Sequence, residues 1–139
     1  MAMGNRFIRS CGLILLMLWL AGCASQPAPG QASGVIHVVL LQFKADVTPQ
    51  QRQALIRNSL QRLVAIPGVM AVEAGMKVRA DRPVHFKDYD VGILVRLSSV
   101  EALDAYGPHP LHQAFVAEHM PLIARMQVID FASEPLNPP

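Results

Sequence analysis

The sequence predicts an α+β domain of the ferredoxin-like kind, a two-layer sandwich with one four-stranded antiparallel sheet and helices on a single face. Three observations predict it. Apolar residues alternate with polar ones over Met70–Val78 and over Tyr89–Leu97, the period of half-buried strands. Two segments, after Thr48 and after Ser98, open with the residue pattern of a helix-capping box. The resulting order, strand, helix, strand, strand, helix, strand, is that of the split βαβ unit.

Val35–Phe43 is β-branched, ends on an aromatic and is apolar on both pleat faces, so it reads as a central strand covered on both sides. Thr48, Pro49 and Gln51 then supply an N-cap, a first-turn proline and the reciprocal cap residue of a helix. Its inward stripe is expected at Ile56, Leu60, Leu63 and Val64, and Pro67-Gly68 stops it. In the second strand Met70, Val72, Ala74, Met76 and Val78 alternate with Glu73, Lys77 and Arg79.

Ala80–Asp88 reads as a loop. Tyr89, Val91, Ile93, Val95 and Leu97 make the third strand, and Ser98 with Glu101 caps a short helix bearing Leu103 and Tyr106. Gly107–Pro110 interrupts that helix. A further one starts near Pro110 with Leu111, Phe115 and Val116 inward, and Pro121 kinks it or ends its first part. Met126–Ala132 closes the sheet, with Asp130 and Arg96 expected on its less apolar side, and residues 133–139 form a tail. Helices on one face would leave the other face of the sheet bare and apolar. Soluble monomers seldom expose such a patch, so a homodimer through the sheet face is expected.

The N-terminus gives an address. Arg6 and Arg9 precede the apolar run Cys11–Leu20, about half the ~20 residues of a bilayer-spanning helix, the pattern of a secretory signal peptide. Leu20-Ala21-Gly22-Cys23 resembles the bacterial lipobox, which implies cleavage before Cys23 and acylation of its thiol. Residues 1–22 are then a signal peptide and 23–34, rich in Pro, Gly and Ser, a flexible tether. The domain would occupy 35–132. Ala24-Ser25 lacks the retention aspartate of the lipoprotein family rule, which implies an outer-membrane anchor facing the periplasm in a diderm cell.

Composition excludes several classes. The chain has 139 residues, 52% of them apolar, with mean hydropathy +0.30, which excludes intrinsic disorder and suits one domain. Removing Arg6 and Arg9 from the 12 basic residues balances the 10 acidic ones, so nucleic acid is not an expected partner. With Cys11 cleaved off and Cys23 acylated, the domain holds no thiol for disulfides, catalysis or metal.

Three segments, Ile36–Lys44, Ile66–Val69 and Ala105–Phe115, resemble the stress-responsive α/β-barrel (Dabb) family, and Val128–Phe131 is similar to its closing strand. The Tyr106-Gly107-Pro108-His109-Pro110-Leu111-His112 core is the most specific piece. The resemblance implies a ferredoxin-like unit whose sheets pair into a dimeric barrel, with a pocket between sheet and helices. In a plant polyketide cyclase of the family, a strand-one His and a Tyr and His of the helical motif line that pocket. Those positions are His37, Tyr106 and His112 here, with His112 implied as the general base of an aldol condensation and Tyr106 as its orienting partner. That enzyme carries another pocket His where this chain has Val91.

Each residue also has a structural reading. His37 suits a hydrogen-bonded core histidine as well as a pocket group, His109-Pro110 suits a turn, and His85 lies in the loop. His37, His109, His112, His119 and Asp130 are the potential metal ligands, but no His-x-x-x-His or His-Glu-x-x-His pair occurs. Neither a metal nor another cofactor is expected. The functional expectation is a lipid-anchored dimer that binds a small hydrophobic ligand or acts in stress response without catalysis. The alternatives are cofactor-free cyclase-like lyase or isomerase chemistry, and a haem- or oxygen-handling role as in the wider barrel superfamily.

Overall fold

A computed structural model describes residues 34–79 and 81–134; Cys23, the expected signal segment, most of the expected tether and the tail after Glu134 lie outside the described residues. Strand β1 spans Gly34–Phe43, helix α1 Pro49–Arg62, β2 Val69–Met76, β3 Val91–Leu97, α2 Val100–Tyr106, α3 Pro110–His119 and β4 Ile123–Ser133. Single 3-10 turns at Leu63–Ala65 and Met120–Leu122 follow α1 and α3. The sheet order is β2-β3-β1-β4, antiparallel throughout, which is the ferredoxin-like topology. The doubly apolar strand β1 is central, as its pattern predicts.

Register sorts the side chains. His37 lies opposite Val95 and Asp130, and Val39 opposite Ile93 and Val128, so these residues share the face toward the helices. That face, with Leu41, Phe43, Val91, Ile93, Val95 and Leu97, packs on Leu55, Ile56 and Leu63 of the α1 segment and on Tyr106 and Phe115. Each large side chain so buried contributes about 1.5–3 kcal/mol relative to exposure.

Helix α1 begins as predicted. The Thr48 N–H donates to Gln51 Oε1 (2.9 Å) and the Gln51 N–H to Thr48 Oγ1 (3.3 Å), closing the capping box. Its inward stripe differs from expectation: Leu55, Ile56, Ser59 and Leu63 are buried, whereas Leu60 and Val64 are exposed. Each sits about 100° beyond its buried predecessor on the helix. Ser59 tolerates full burial because its hydroxyl donates to the carbonyls of Leu55 (3.0 Å) and Ile56 (2.8 Å).

Past Pro67, Gly68 takes φ +85°, and a Cβ there would meet the Ala102 Cβ at 2.7 Å. Strand β2 stops at Met76, two residues before the alternation ends, and Val78 is 92% exposed. Its neighbour β3 starts only at Val91, opposite Met76, and past the strand ends the Lys77 N–H donates to the Asp90 carbonyl (2.7 Å). The cap of α2 falls one residue later than expected, with the Ala102 N–H donating to Ser99 Oγ (3.2 Å).

The other face of the sheet carries Ile36, Val38 and Leu40 of β1, Leu94 of β3, and Ile129 and Phe131 of β4. None of the described helices covers it. Ile129 and Phe131 are both 51% exposed. Toward β2 the same face turns polar, where Arg96 Nε lies 3.7 Å from Glu73 Oε1.

Candidate functional site

Between the inner face of the sheet and the three helices lies a cavity of about 240 Å³. It exceeds the ~150 Å³ apolar void known to take up benzene in an engineered protein. Its walls are mostly aliphatic and aromatic, and none of its lining residues is Lys, Arg, Asp or Glu. Four polar side chains interrupt them: His37, Tyr106, His112 and His119. The first three are the residues singled out in the sequence, and the fold brings them together. The Tyr106 ring centre is 5.6 Å from that of His37 and 4.5 Å from that of His112.

The interruption between α2 and α3 sets this geometry. Helix α2 delivers Tyr106 in its last position, and His109 restarts the helix as the N-cap of α3, its Nδ1 accepting from the Leu111 N–H (3.2 Å). His109 is thus the structural turn residue of the sequence reading. One turn on, His112 places Nδ1 2.8 Å from the Gly107 carbonyl, which Gln113 Nε2 also meets at 2.7 Å. A carbonyl only accepts, so His112 Nδ1 donates, and the neutral ring keeps its lone pair on Nε2. The inward row of α3 runs through His112, Phe115, Val116 and His119; Leu111, expected inward, is 37% exposed.

His37 is held from the other side. Its Nδ1 lies 2.6 Å from Asp130 Oδ1, across the β1–β4 pair. Asp130 therefore does not share a face with Arg96, as the sequence suggested; the partner of Arg96 is Glu73 on the opposite face. With Nδ1 donating to the carboxylate, His37 presents Nε2 as its second polar atom, an orientation fixed by a carboxylate in the way that tunes bases and ligands generally. Tyr106, between the two histidines, has its hydroxyl pushed up to about 12 by burial, so it is a phenol and a donor at neutral pH.

The sequence marks His119 only as a potential metal ligand, whereas the structure places it in the cavity wall at 5% exposure. Its Nε2 lies 3.2 Å from Asn58 Nδ2, which donates to Glu118 Oε1 (3.1 Å); the other Glu118 oxygen accepts from Arg62. Burial holds the His119 pKa below its ordinary value, opposed by the Glu118 charge. The spacing 112, 115, 116, 119 was a legible one-sided row, and it is the signal that finds His119. Among the described residues no group of three His, Cys, Asp or Glu is arranged to hold a metal ion. Val91, where the family cyclase has a histidine, is fully buried in the core and is not part of the cavity wall.

A ferredoxin-like sheet with one helical layer and a histidine- and tyrosine-dotted cavity between them defines a small α/β-barrel-type domain. The family model described as the stress responsive A/B barrel domain, Dabb, matches residues 35–133, and the chain belongs to that family. No curated protein matches the sequence significantly. Among solved structures, the chain is similar to a dimeric ferredoxin-like protein of unknown function from Thermobifida fusca, with 25% identity and a TM-score of 0.63, covering 76% of this chain and 96% of that one. A Dabb family protein with a ferredoxin-like fold from Mesorhizobium loti is similar at 25% identity and TM-score 0.60, covering 76% and 99%. A hydroxynitrile lyase from Passiflora edulis shares the fold at 15% identity and TM-score 0.66, covering 76% and 98%.

Proposed function

We propose that this Dabb protein is a lipid-anchored homodimer that binds a small, neutral, largely apolar molecule in the cavity of each subunit. One observation carries the binding reading: a cavity of about 240 Å³ whose apolar walls are interrupted by four hydrogen-bonding side chains, none of them Lys, Arg, Asp or Glu. Ligand sites combine apolar walls with a few placed polar groups in this manner. Pairing through the sheet is supported by the half-buried Val38 and Leu94 and the exposed Ile129 and Phe131 on its helix-free face, and by the dimeric state of the similar Thermobifida fusca protein. Anchoring at Cys23, export by residues 1–22 and an outer-membrane, periplasm-facing location rest on the lipobox-like Leu20–Cys23 and the retention-signal-free Ala24-Ser25.

Native mass spectrometry of the full chain extracted from its own membrane tests all three parts. The expected species is an acylated dimer with a bound small molecule. An unacylated or monomeric species overturns the anchor or the dimer respectively, and an empty cavity that takes up no added aromatic overturns the binding reading.

A second reading, acid–base chemistry at a carbon next to a carbonyl, is favoured by the His37–Asp130 pair. His37 or His112 Nε2 would remove the proton and the Tyr106 phenol would donate to the oxygen where charge develops. Loss of deuterium-exchangeable protons from a methyl ketone, followed by NMR, is expected with the wild-type chain and absent in His37→Gln.

A further inference from the structure

The Asn58–Glu118–Arg62 cluster settles which nitrogen of His119 carries the proton. Glu118 is a carboxylate and accepts only, and the Arg62 hydrogen bond holds its pKa below the ordinary range. Asn58 must therefore turn its NH₂ toward it, and the same NH₂ lies against His119 Nε2. A nitrogen facing a donor at 3.2 Å is the acceptor, and the Glu118 oxygen 3.7 Å from the same Nε2 is too far to take a proton from it, so in the neutral ring the proton sits on Nδ1. That Nδ1 is buried and has no hydrogen-bond partner among the described residues.

A buried, unsatisfied donor costs about 1–3 kcal/mol, and native structures retain such groups where something else supplies the partner. His119 lines the cavity, and the nearest aromatic, Phe115, packs its ring 4.7 Å away. Because neither Lys nor Arg lines the cavity, a carboxylate ligand would be compensated only by drawing a proton onto one of its histidines, whereas a neutral acceptor needs no such change.

We propose that His119 Nδ1–H is the anchoring donor of the cavity, selecting a small neutral apolar molecule that carries an acceptor oxygen. The proposal rests on the binding reading above and adds the chemistry of the ligand. His37, Tyr106 and His112 gather where β1, the end of α2 and the first turn of α3 meet, while His119 is the last residue of α3, about two helical turns beyond His112 and beside Asn58 of α1. The anchor thus holds the ligand oxygen at a point separate from the Tyr106 cluster.

The test compares two probes of nearly equal shape, acetophenone and α-methylstyrene, which differ in a carbonyl oxygen against a methylene. Binding to the full chain is followed by calorimetry. Acetophenone is expected to bind roughly tenfold more tightly, the ratio set by one neutral hydrogen bond. In His119→Phe the preference should vanish while α-methylstyrene affinity is kept. Nitrogen-15 NMR of the wild-type imidazoles is expected to show His119 as the Nδ1–H tautomer, with that nitrogen shifting on acetophenone addition. Equal binding of both probes, a preference that survives His119→Phe, or an Nε2–H tautomer overturns the anchor and leaves the cavity reading standing. Binding of neither probe overturns the cavity reading itself. If His119→Phe fails to fold, the tautomer and its shift in the wild-type chain decide alone.

Discussion

His37 and Asp130 stand directly opposite each other on neighbouring strands β1 and β4, with Nδ1 2.6 Å from Oδ1. The pairing fixes the imidazole by its outer nitrogen and turns the inner one to the cavity side of the sheet. Replacing Asp130 with Asn should keep the fold, because the Asp130 side chain is 43% exposed and such pairs contribute under about 1 kcal/mol. Calorimetric Tm is expected to fall by a few degrees at most, while the His37 tautomer populations seen by NMR become mixed. A large loss of Tm with an unchanged tautomer would make the pair structural.

Leu55 and Ser59 face the core one helical turn apart and are both fully buried, yet they should respond oppositely to truncation. Leu55→Ala removes three heavy atoms of packing next to the cavity and should cost about 2–5 kcal/mol. Ser59→Ala removes a hydroxyl bonded only to carbonyls of its own helix turn, so its effect should lie within about 0.5 kcal/mol. Denaturant melts of the two variants check the contrast.

Gly68 should tolerate no side chain. Its φ of +85° and the 2.7 Å approach of an added Cβ to Ala102 act together. Gly68→Ala should lower stability by more than about 1 kcal/mol. The paired change Ala102→Gly should recover the contact part but not the backbone part, measurable in a double-mutant melt.

Stability should decline in mild acid through His119. Burial, the larger influence, and the Arg62 charge lower its folded pKa beneath 6.5, with Glu118 opposing them. As pH falls the unfolded chain takes the proton first, so the contribution is complete above about pH 6.5 and is lost below it. Tm measured from pH 7.5 to 5.0 should drop in the wild-type chain and drop less in His119→Phe; equal slopes would assign the pH dependence elsewhere.

Strand β1, the Thr48–Gln51 cap and the Tyr106–His112 motif were legible because each depends on neighbours in sequence. The ladder limits were not. Val78 and Tyr89 continue a perfect alternation, yet strand length is decided by where the partner begins, and β3 begins at Val91. The α1 stripe departs from the hydropathy pattern at Leu60 and Val64 because hydropathy passes over Ser59, whose burial is made possible by hydrogen bonds to its own helix carbonyls. Site membership split the same way. His37, Tyr106 and His112 were found by motif, whereas the Asp130 and Asn58–His119 contacts cross 93 and 61 positions and follow only from topology.

The strand order seats the first and last described elements side by side, Gly34 against Ser133 and His37 against Asp130. A nascent chain can pair β1 with β3 before its end is made, but the basic ring of His37 gains its carboxylate, and the cavity gains Met126 and Val128, only when the final strand arrives. Termination before β4 would therefore leave at most three of the four strands, with the β1 edge unpaired and the cavity missing the Met126 and Val128 part of its wall.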